Sequence, residues 1–192
     1  MGAMPFLMPL LLQVAFARSA SEAGWTLAPV ALAALATKPL VKPVIGRFGY
    51  RRVLIWNTRI IGLLIMSMAL VTAATPLWLL VPALFCMGMC NSLQYSSMNT
   101  LTLADLRPQM EGSGNSLMAV NQQLAISLGI GLGAMLLNFF GGGGARIADV
   151  HHAFRLTFIS IGAVTFCAGW IFTFLHPKDG GNLVGQGGEK AV

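Results

Sequence analysis

Charged residues are scarce in this sequence. Lys, Arg, Asp and Glu together make up 9% of the 192 residues, whereas hydrophobic residues make up 56%. A soluble domain carries roughly 25% charged residues, because its surface must be hydrated. The shortage therefore excludes an ordinary water-exposed surface, and the mean hydropathy of +0.73 favours a chain whose surroundings are membrane lipid.

Acidic residues and cysteines are also few. Six acids stand against twelve Lys and Arg, which gives a net charge of +6. The basic residues lie at the ends of apolar runs instead of forming one stripe, so we expect no nucleic-acid partner. The three cysteines indicate no disulfide framework, and the His151–His152 pair is a poor metal site. The sequence predicts no metal, no cofactor and no enzymatic activity.

Long apolar runs dominate what is present. Backbone polar groups in lipid must be satisfied within their own segment, so each run is predicted to be helical. The predicted fold is all-α and transmembrane, with a bundle at 1–176 and a disordered Gly-rich tail at 177–192. The first run is short for a bilayer core of about 30 Å, and we expect a truncated helix there. The six predicted spans are 1–17, 22–45, 53–74, 77–99, 113–140 and 153–175.

Two connections have local sequence signals. Ser19 and Glu22 form a capping box that fixes the start of the second span, and Gly141–Gly144 is typical of a flexible linker.

The basic residues predict an orientation. They concentrate on one side, which should be cytoplasmic and should hold both ends of this chain. The residues on that side are Lys38, Lys42, Arg47, Arg51, Arg52, Arg107, Lys178 and Lys190, against Arg18, Arg146 and Arg155 on the other.

A basic turn follows the second span. Glycine permits a sharp backbone there, and arginines can bind helix C-terminal carbonyls or anionic headgroups; an ordinary positive-inside loop is the other reading. The turn resembles the cytoplasmic loop signature of the major facilitator superfamily. Arg47, Gly49, Arg51 and Arg52 match it and are the candidate gating loop. Lys42 and Gly46 depart from it, at the positions of the first glycine and of the aspartate that helps lock the inward-closed state.

A longer resemblance extends over most of the chain. It is carried by Asn91–Ser92, Ser96–Leu103, Asp105–Leu106 and Ser113–Leu117. These stretches are similar to the MdtD-type multidrug resistance transporters, which belong to the 14-span drug:proton antiporters of the superfamily. The resemblance implies a C-terminal half-bundle of 3+3 inverted repeats in a bacterial inner membrane, which pairs with an N-terminal half-bundle.

The same resemblance implies multidrug efflux by proton-coupled alternating access, with small amphipathic drugs as solutes. None of the six acids lies in the interior of a predicted span, since Glu22 is the first residue of the second one, so protons should be carried by the missing half. A non-transporting membrane scaffold, an inactive fragment and a transporter of another small solute are the alternatives.

Polar side chains follow one face of the fourth span. Asn and Gln are costly in lipid, so they should face either a water-filled cavity or a neighbouring helix. Met and Tyr on the same face would suit varied amphipathic ligands. The candidate substrate-binding residues are Met87, Asn91, Gln94, Tyr95 and Met98, joined by Phe6 and Gln13 of the first span and Gln122 of the fifth.

Two further residues or motifs within the spans predict specific contacts. Arg59 lies seven positions after Arg52, so its side chain either snorkels to the headgroups or faces inward in binding or gating. Gly129 and Gly133 have the GxxxG spacing that lets helices approach closely.

Overall fold

The computed structural model describes residues 2–72, 74–103, 111–141 and 147–174. Within these ranges the chain forms helices and no strand. The helices are α1 (Met4–Leu10, continued by a π-turn at Leu11–Ala15), α2 (Ala20–Phe48), α3 (Tyr50–Ser67, continued by a 3-10 turn at Met68–Leu70), α4 (Leu77–Leu103), α5 (Glu111–Gly141) and α6 (Ile147–Ala168, followed by a 3-10 turn at Ile171–Phe174).

Several sequence predictions fall outside the described residues. They are the tail at 177–192, the inner part of the glycine linker at 142–144, and the charged residues Asp105, Arg107 and Arg146.

Four helical segments of the described chain are long and apolar enough to cross a membrane: Ala20–Phe48, Tyr50–Leu70, Gly112–Gly141 and Val150–Phe174. Helix α4 has 27 residues. The first helix with its π-turn, Met4–Ala15, is apolar but shorter. The all-helical, multi-pass prediction is confirmed at this level.

The predicted capping box begins α2. The Ser19 N–H donates to Glu22 Oε2 at 2.9 Å, and the Glu22 N–H donates to Ser19 Oγ at 3.2 Å. Two N–H groups at the start of the helix thereby find acceptors. The prediction that this box fixes the start of the second helix is confirmed.

Helices α2 and α4 run parallel and in close contact. A Cβ added to Gly88 of α4 would lie 2.9 Å from the Ala33 Cβ and from the Val30 Cα. One turn further along both helices, Ser92 Oγ donates to the Ala34 carbonyl at 3.0 Å. The missing side chain at Gly88 is therefore what lets the two backbones approach.

Helices α1 and α5 make a second parallel pair. A Cβ on Gly129 would lie 2.9 Å from the Ala3 backbone nitrogen, and one on Gly133 would lie 3.2 Å from the Ala3 Cβ and 3.5 Å from Leu7. The prediction that Gly129 and Gly133 serve close helix packing is confirmed.

Helices α3 and α6 are antiparallel and cross at two glycines. A Cβ on Gly162 would lie 2.8 Å from the Gly62 carbonyl oxygen, and one on Gly62 would lie 2.7 Å from the Phe166 nitrogen. No substituent on either α-carbon fits unless the backbones separate.

The core is apolar and lies where α1, α3, α4 and α6 meet. Its most deeply buried members include Leu7, Ile61, Leu84 and Phe158. In contrast, α5 exposes a continuous apolar stripe along its outer side, at Leu117, Val120, Leu124, Leu128, Leu132, Met135 and Phe139. A surface of this kind needs lipid or another helix against it.

Candidate functional site

A buried polar cluster joins α3 to α4. Asn57 Nδ2 donates to Gln94 Oε1 and to the Cys90 carbonyl, both at 2.8 Å. Gln94 Nε2 donates to Thr58 Oγ1 at 2.9 Å. Gln94 is only 3% exposed. Its amide oxygen and amide nitrogen thus both form hydrogen bonds with α3. Gln94 therefore joins two helices, which is one of the two roles that the sequence allowed for it.

The other residues predicted on this face of α4 differ in exposure. Met87 is buried and packs in the apolar core with residues of α1 and α6. Asn91 and Tyr95 are half-buried. Met98 is 41% exposed, and its Sδ lies 3.7 Å from Gln94 Nε2. Among these four residues, exposure therefore increases along α4, from Met87 in the core to Met98 on the accessible surface.

The remaining predicted substrate residues belong to α1, its π-turn and α5. Phe6 lines a groove of about 350 Å³ between α1, α5 and α6, together with Leu137 and Phe154. Gln13 is exposed and Gln122 of α5 is half-buried. The lining of this groove includes Phe6 and none of the predicted residues of α4.

The basic turn is organised around Gly49. This residue ends α2 by donating its N–H to the Ile45 carbonyl at 2.8 Å, and its own carbonyl accepts from the Val53 N–H at 3.1 Å. Its φ of 74° and ψ of 154° belong to a region that only glycine adopts without strain. The predicted need for glycine at this turn is confirmed.

The arginines of the turn have different surroundings. Arg51 Nη2 donates to the Thr173 carbonyl at 2.8 Å, which ties the start of α3 to the turn after α6. This contact confirms that an arginine of the turn binds a carbonyl near a helix C-terminus. The Arg47 guanidinium carbon lies 5.9 Å from the Phe48 ring centre. Arg52 is exposed.

Arg59 is half-buried on α3. Its guanidinium carbon is 5.8 Å from the ring centre of Trp56, which is three residues nearer the basic turn. Its Cγ lies close to Gly169, beyond the end of α6. A side chain that runs back toward the basic end of the bundle has the geometry of snorkelling.

Asn57 and Thr58 are the site residues that the sequence prediction missed. Both are buried polar residues inside an apolar run. The argument applied to Asn91 and Gln94, that an amide in a membrane helix needs a partner, would have found Asn57 as well.

A family model for the Major Facilitator Superfamily matches residues 1–191 of the chain. The chain belongs to the major facilitator superfamily.

Bacterial superfamily members provisionally named multidrug resistance protein MdtD are similar to it. The protein of Enterobacter sp. (strain 638) is 36% identical over 187 residues, which are 95% of this chain and 39% of that protein. The protein of Salmonella newport (strain SL254) is 37% identical over the same length and the same shares. The protein of Pectobacterium carotovorum subsp. carotovorum (strain PC1) is 37% identical over 162 residues, or 83% of this chain and 35% of that protein.

The chain thus spans about two-fifths of the length of these relatives, 39% for the Enterobacter protein. No solved structure matches it.

Proposed function

We propose that this chain is the C-terminal half of a multidrug efflux transporter that works by proton-coupled alternating access. The observation that carries the proposal is the 36% identity over 187 residues to a relative provisionally named for multidrug resistance. The chain has the composition and the helices of one bundle. A second, N-terminal bundle would supply the opposite wall of the transport path.

The pairing of the helices supports 3+3 inverted repeats. A two-fold axis in the membrane plane would exchange α1 with α4, α2 with α5 and α3 with α6. That exchange turns the parallel α2–α4 pair into the parallel α1–α5 pair, and it returns the antiparallel α3–α6 pair to itself. Small residues lie at the crossings of both parallel pairs, Gly88 against Ala33 and Gly129 against Ala3.

The orientation we propose places the basic turn in the cytoplasm of a bacterial cell, at its inner membrane. Lys42, Arg47, Arg51 and Arg52 lie in or beside this turn, and positive residues favour the cytoplasmic side. Both ends of this chain would then be cytoplasmic.

The substrate surface we propose is the accessible part of the predicted set. Asn91, Tyr95 and Met98 continue along α4 beyond the buried Met87. Phe6 and Gln122 lie on the neighbouring α1 and α5. A half-buried face of amide, phenol and thioether groups suits amphipathic solutes of varied shape. We assign Gln94 a structural role beside this face, because its amide group is already hydrogen-bonded to α3.

Proton coupling needs a titratable group within the membrane. Among the side chains that the structure describes, Glu22 is the single carboxylate, and it lies in the first turn of α2. We therefore place the proton carrier in the N-terminal half.

A chimaera tests the proposal. The segment of the Enterobacter relative that matches this chain is replaced by residues 2–191, and dye extrusion is measured in an efflux-deficient host. We expect extrusion that collapses when the proton gradient is dissipated. The control is the same relative with the segment deleted, which should be inactive.

An inserted, stable chimaera that extrudes no substrate of the parent protein would contradict the proposal. It would favour a non-transporting scaffold instead.

A further inference from the structure

A groove of about 350 Å³ opens on the outer surface between α2, α3 and α4, at the end that carries the basic turn. Its walls are almost entirely apolar. They include Val44 and Phe48 of α2, Trp56 and Ile60 of α3, and Leu93 of α4. Among the described residues, Arg52 is the one cation that lines it. Ile60 is eight residues beyond Arg52, so the groove follows α3 for roughly 12 Å into the apolar part of the bundle.

Positive charge gathers at the mouth of this groove. A second hollow of about 500 Å³ at the turn shares Phe48 and Arg52 with it and is also lined by Arg51. Arg47 lies against Phe48. Glu22 is the single carboxylate among the side chains that the structure describes. It lies 25 residues before Arg47 on the same helix, or about 38 Å away. A ligand at this mouth would meet cations without a described carboxylate nearby.

Trp56 forms the outer wall of the groove. It is 63% exposed although it belongs to an apolar helix. The Arg59 guanidinium lies against its ring, so the indole is held between a cation and the groove. An exposed indole one turn past the arginines is typical of the interface between headgroups and acyl chains.

We propose that this groove binds an anionic phospholipid. The phosphate would be held by Arg52, and one acyl chain would lie along Val44, Trp56 and Ile60. A soluble anion could use the arginine but not the apolar walls. A zwitterionic lipid could use the walls, but its own ammonium group would oppose the cluster of arginines.

Tryptophan quenching by brominated lipids tests this proposal. Trp25, Trp78 and Trp170 are replaced by Phe so that Trp56 is the single reporter. The full chain is reconstituted in phosphatidylcholine vesicles that contain either brominated phosphatidylglycerol or brominated phosphatidylcholine. We expect phosphatidylglycerol to associate with Trp56 about fivefold more strongly, the size expected for one arginine near an anionic headgroup.

Matched variants locate the effect. Arg52→Gln should abolish the preference, whereas Arg155→Gln, which removes an exposed charge on α6, should leave it unchanged. A protein that keeps only Trp170 reports an exposed indole near the turn after α6 and should show little preference.

Equal quenching by the two lipids would overturn the proposal and indicate ordinary surrounding lipid; this comparison decides the matter even if Arg52→Gln does not fold. A preference that survives Arg52→Gln would also overturn it. A preference abolished by millimolar inorganic phosphate would show a general anion site and reject the phospholipid.

Discussion

At the scale of single residues, the geometry separates side chains that the sequence groups together. Arg51 and Arg52 are neighbours in the basic turn, yet Arg51 donates to the Thr173 carbonyl while Arg52 lines the apolar groove between α2, α3 and α4. Gln94 and Met98 lie one turn apart on α4, yet Gln94 is buried and bonded to α3 while Met98 is accessible. Neither difference is encoded in the residue type, because each depends on a helix distant in sequence.

Gly49 provides the clearest prediction at this scale. Its φ of 74° with ψ near 154° is costly for any residue with a Cβ. We expect Gly49→Ala to lower the free energy of unfolding by about 1–3 kcal/mol, measured by denaturant unfolding in detergent. Gly46→Ala is the control, since Gly46 is helical and its added Cβ would meet nothing within 4 Å. Equal stability of the two variants would contradict this account.

Gln94 is predicted to act on stability more than on substrate selection. Gln94→Ala and Asn57→Ala should each lower the free energy of unfolding by about 0.6–1.7 kcal/mol, and the double variant should lose less than the sum. Gln123→Ala removes an exposed amide on α5 and should have little effect. In the active chimaera, a loss confined to one class of drug upon Gln94→Ala would favour direct substrate contact and count against the supporting role.

At the scale of helices, the glycines at some close crossings can be recognised from the sequence, whereas those at other crossings cannot. Gly129 and Gly133 are found from spacing alone, since two glycines four apart mark one face. Gly62, Gly88 and Gly162 each lack a glycine four residues away in the same helix. Their role becomes clear only when α3 meets α6 and α2 meets α4, which are pairings between distant parts of the sequence.

The α3–α6 crossing predicts a marked response to one methyl group. Gly62→Ala would place a Cβ 2.7–2.8 Å from backbone and Cβ atoms of Phe166, so the helices must separate. We expect a loss of about 1–3 kcal/mol in the free energy of unfolding, the usual cost of overpacking. Gly131→Ala on α5 is the matched control, because its Cβ would enter open space. Unfolding in detergent measures both, and equal stability would refute the tight crossing.

At the scale of the whole molecule, composition and hydropathy were enough to predict an all-helical membrane protein, and the basic turn and the stretches on α4 and α5 were enough to indicate its superfamily. Which side chains of the face formed by Met87, Asn91, Gln94, Tyr95 and Met98 are buried could not be derived in the same way. Helical spacing places these residues on one face, but the neighbours of that face decide that Met87 is core and Gln94 is bonded to α3.

We predict that residues 1–192 do not transport on their own. Residues 1–192 expressed alone in an efflux-deficient host should insert into the membrane and extrude no dye, because alternating access needs a second bundle to rock against. Membrane insertion is checked by fractionation and extrusion by fluorescence. Full extrusion by the chain alone would show that the proposed second half is dispensable.

The glycine crossing of α3 and α6 has a consequence for how the sequence can drift. Every amino-acid replacement at Gly62 or Gly162 adds a Cβ where backbone atoms already lie within 3 Å. We therefore expect every substitution at either position to destabilise the protein. Gly46 and Gly131 face open space and can vary freely. Random mutagenesis followed by selection for stable insertion should therefore return the first pair unchanged and the second pair diversified.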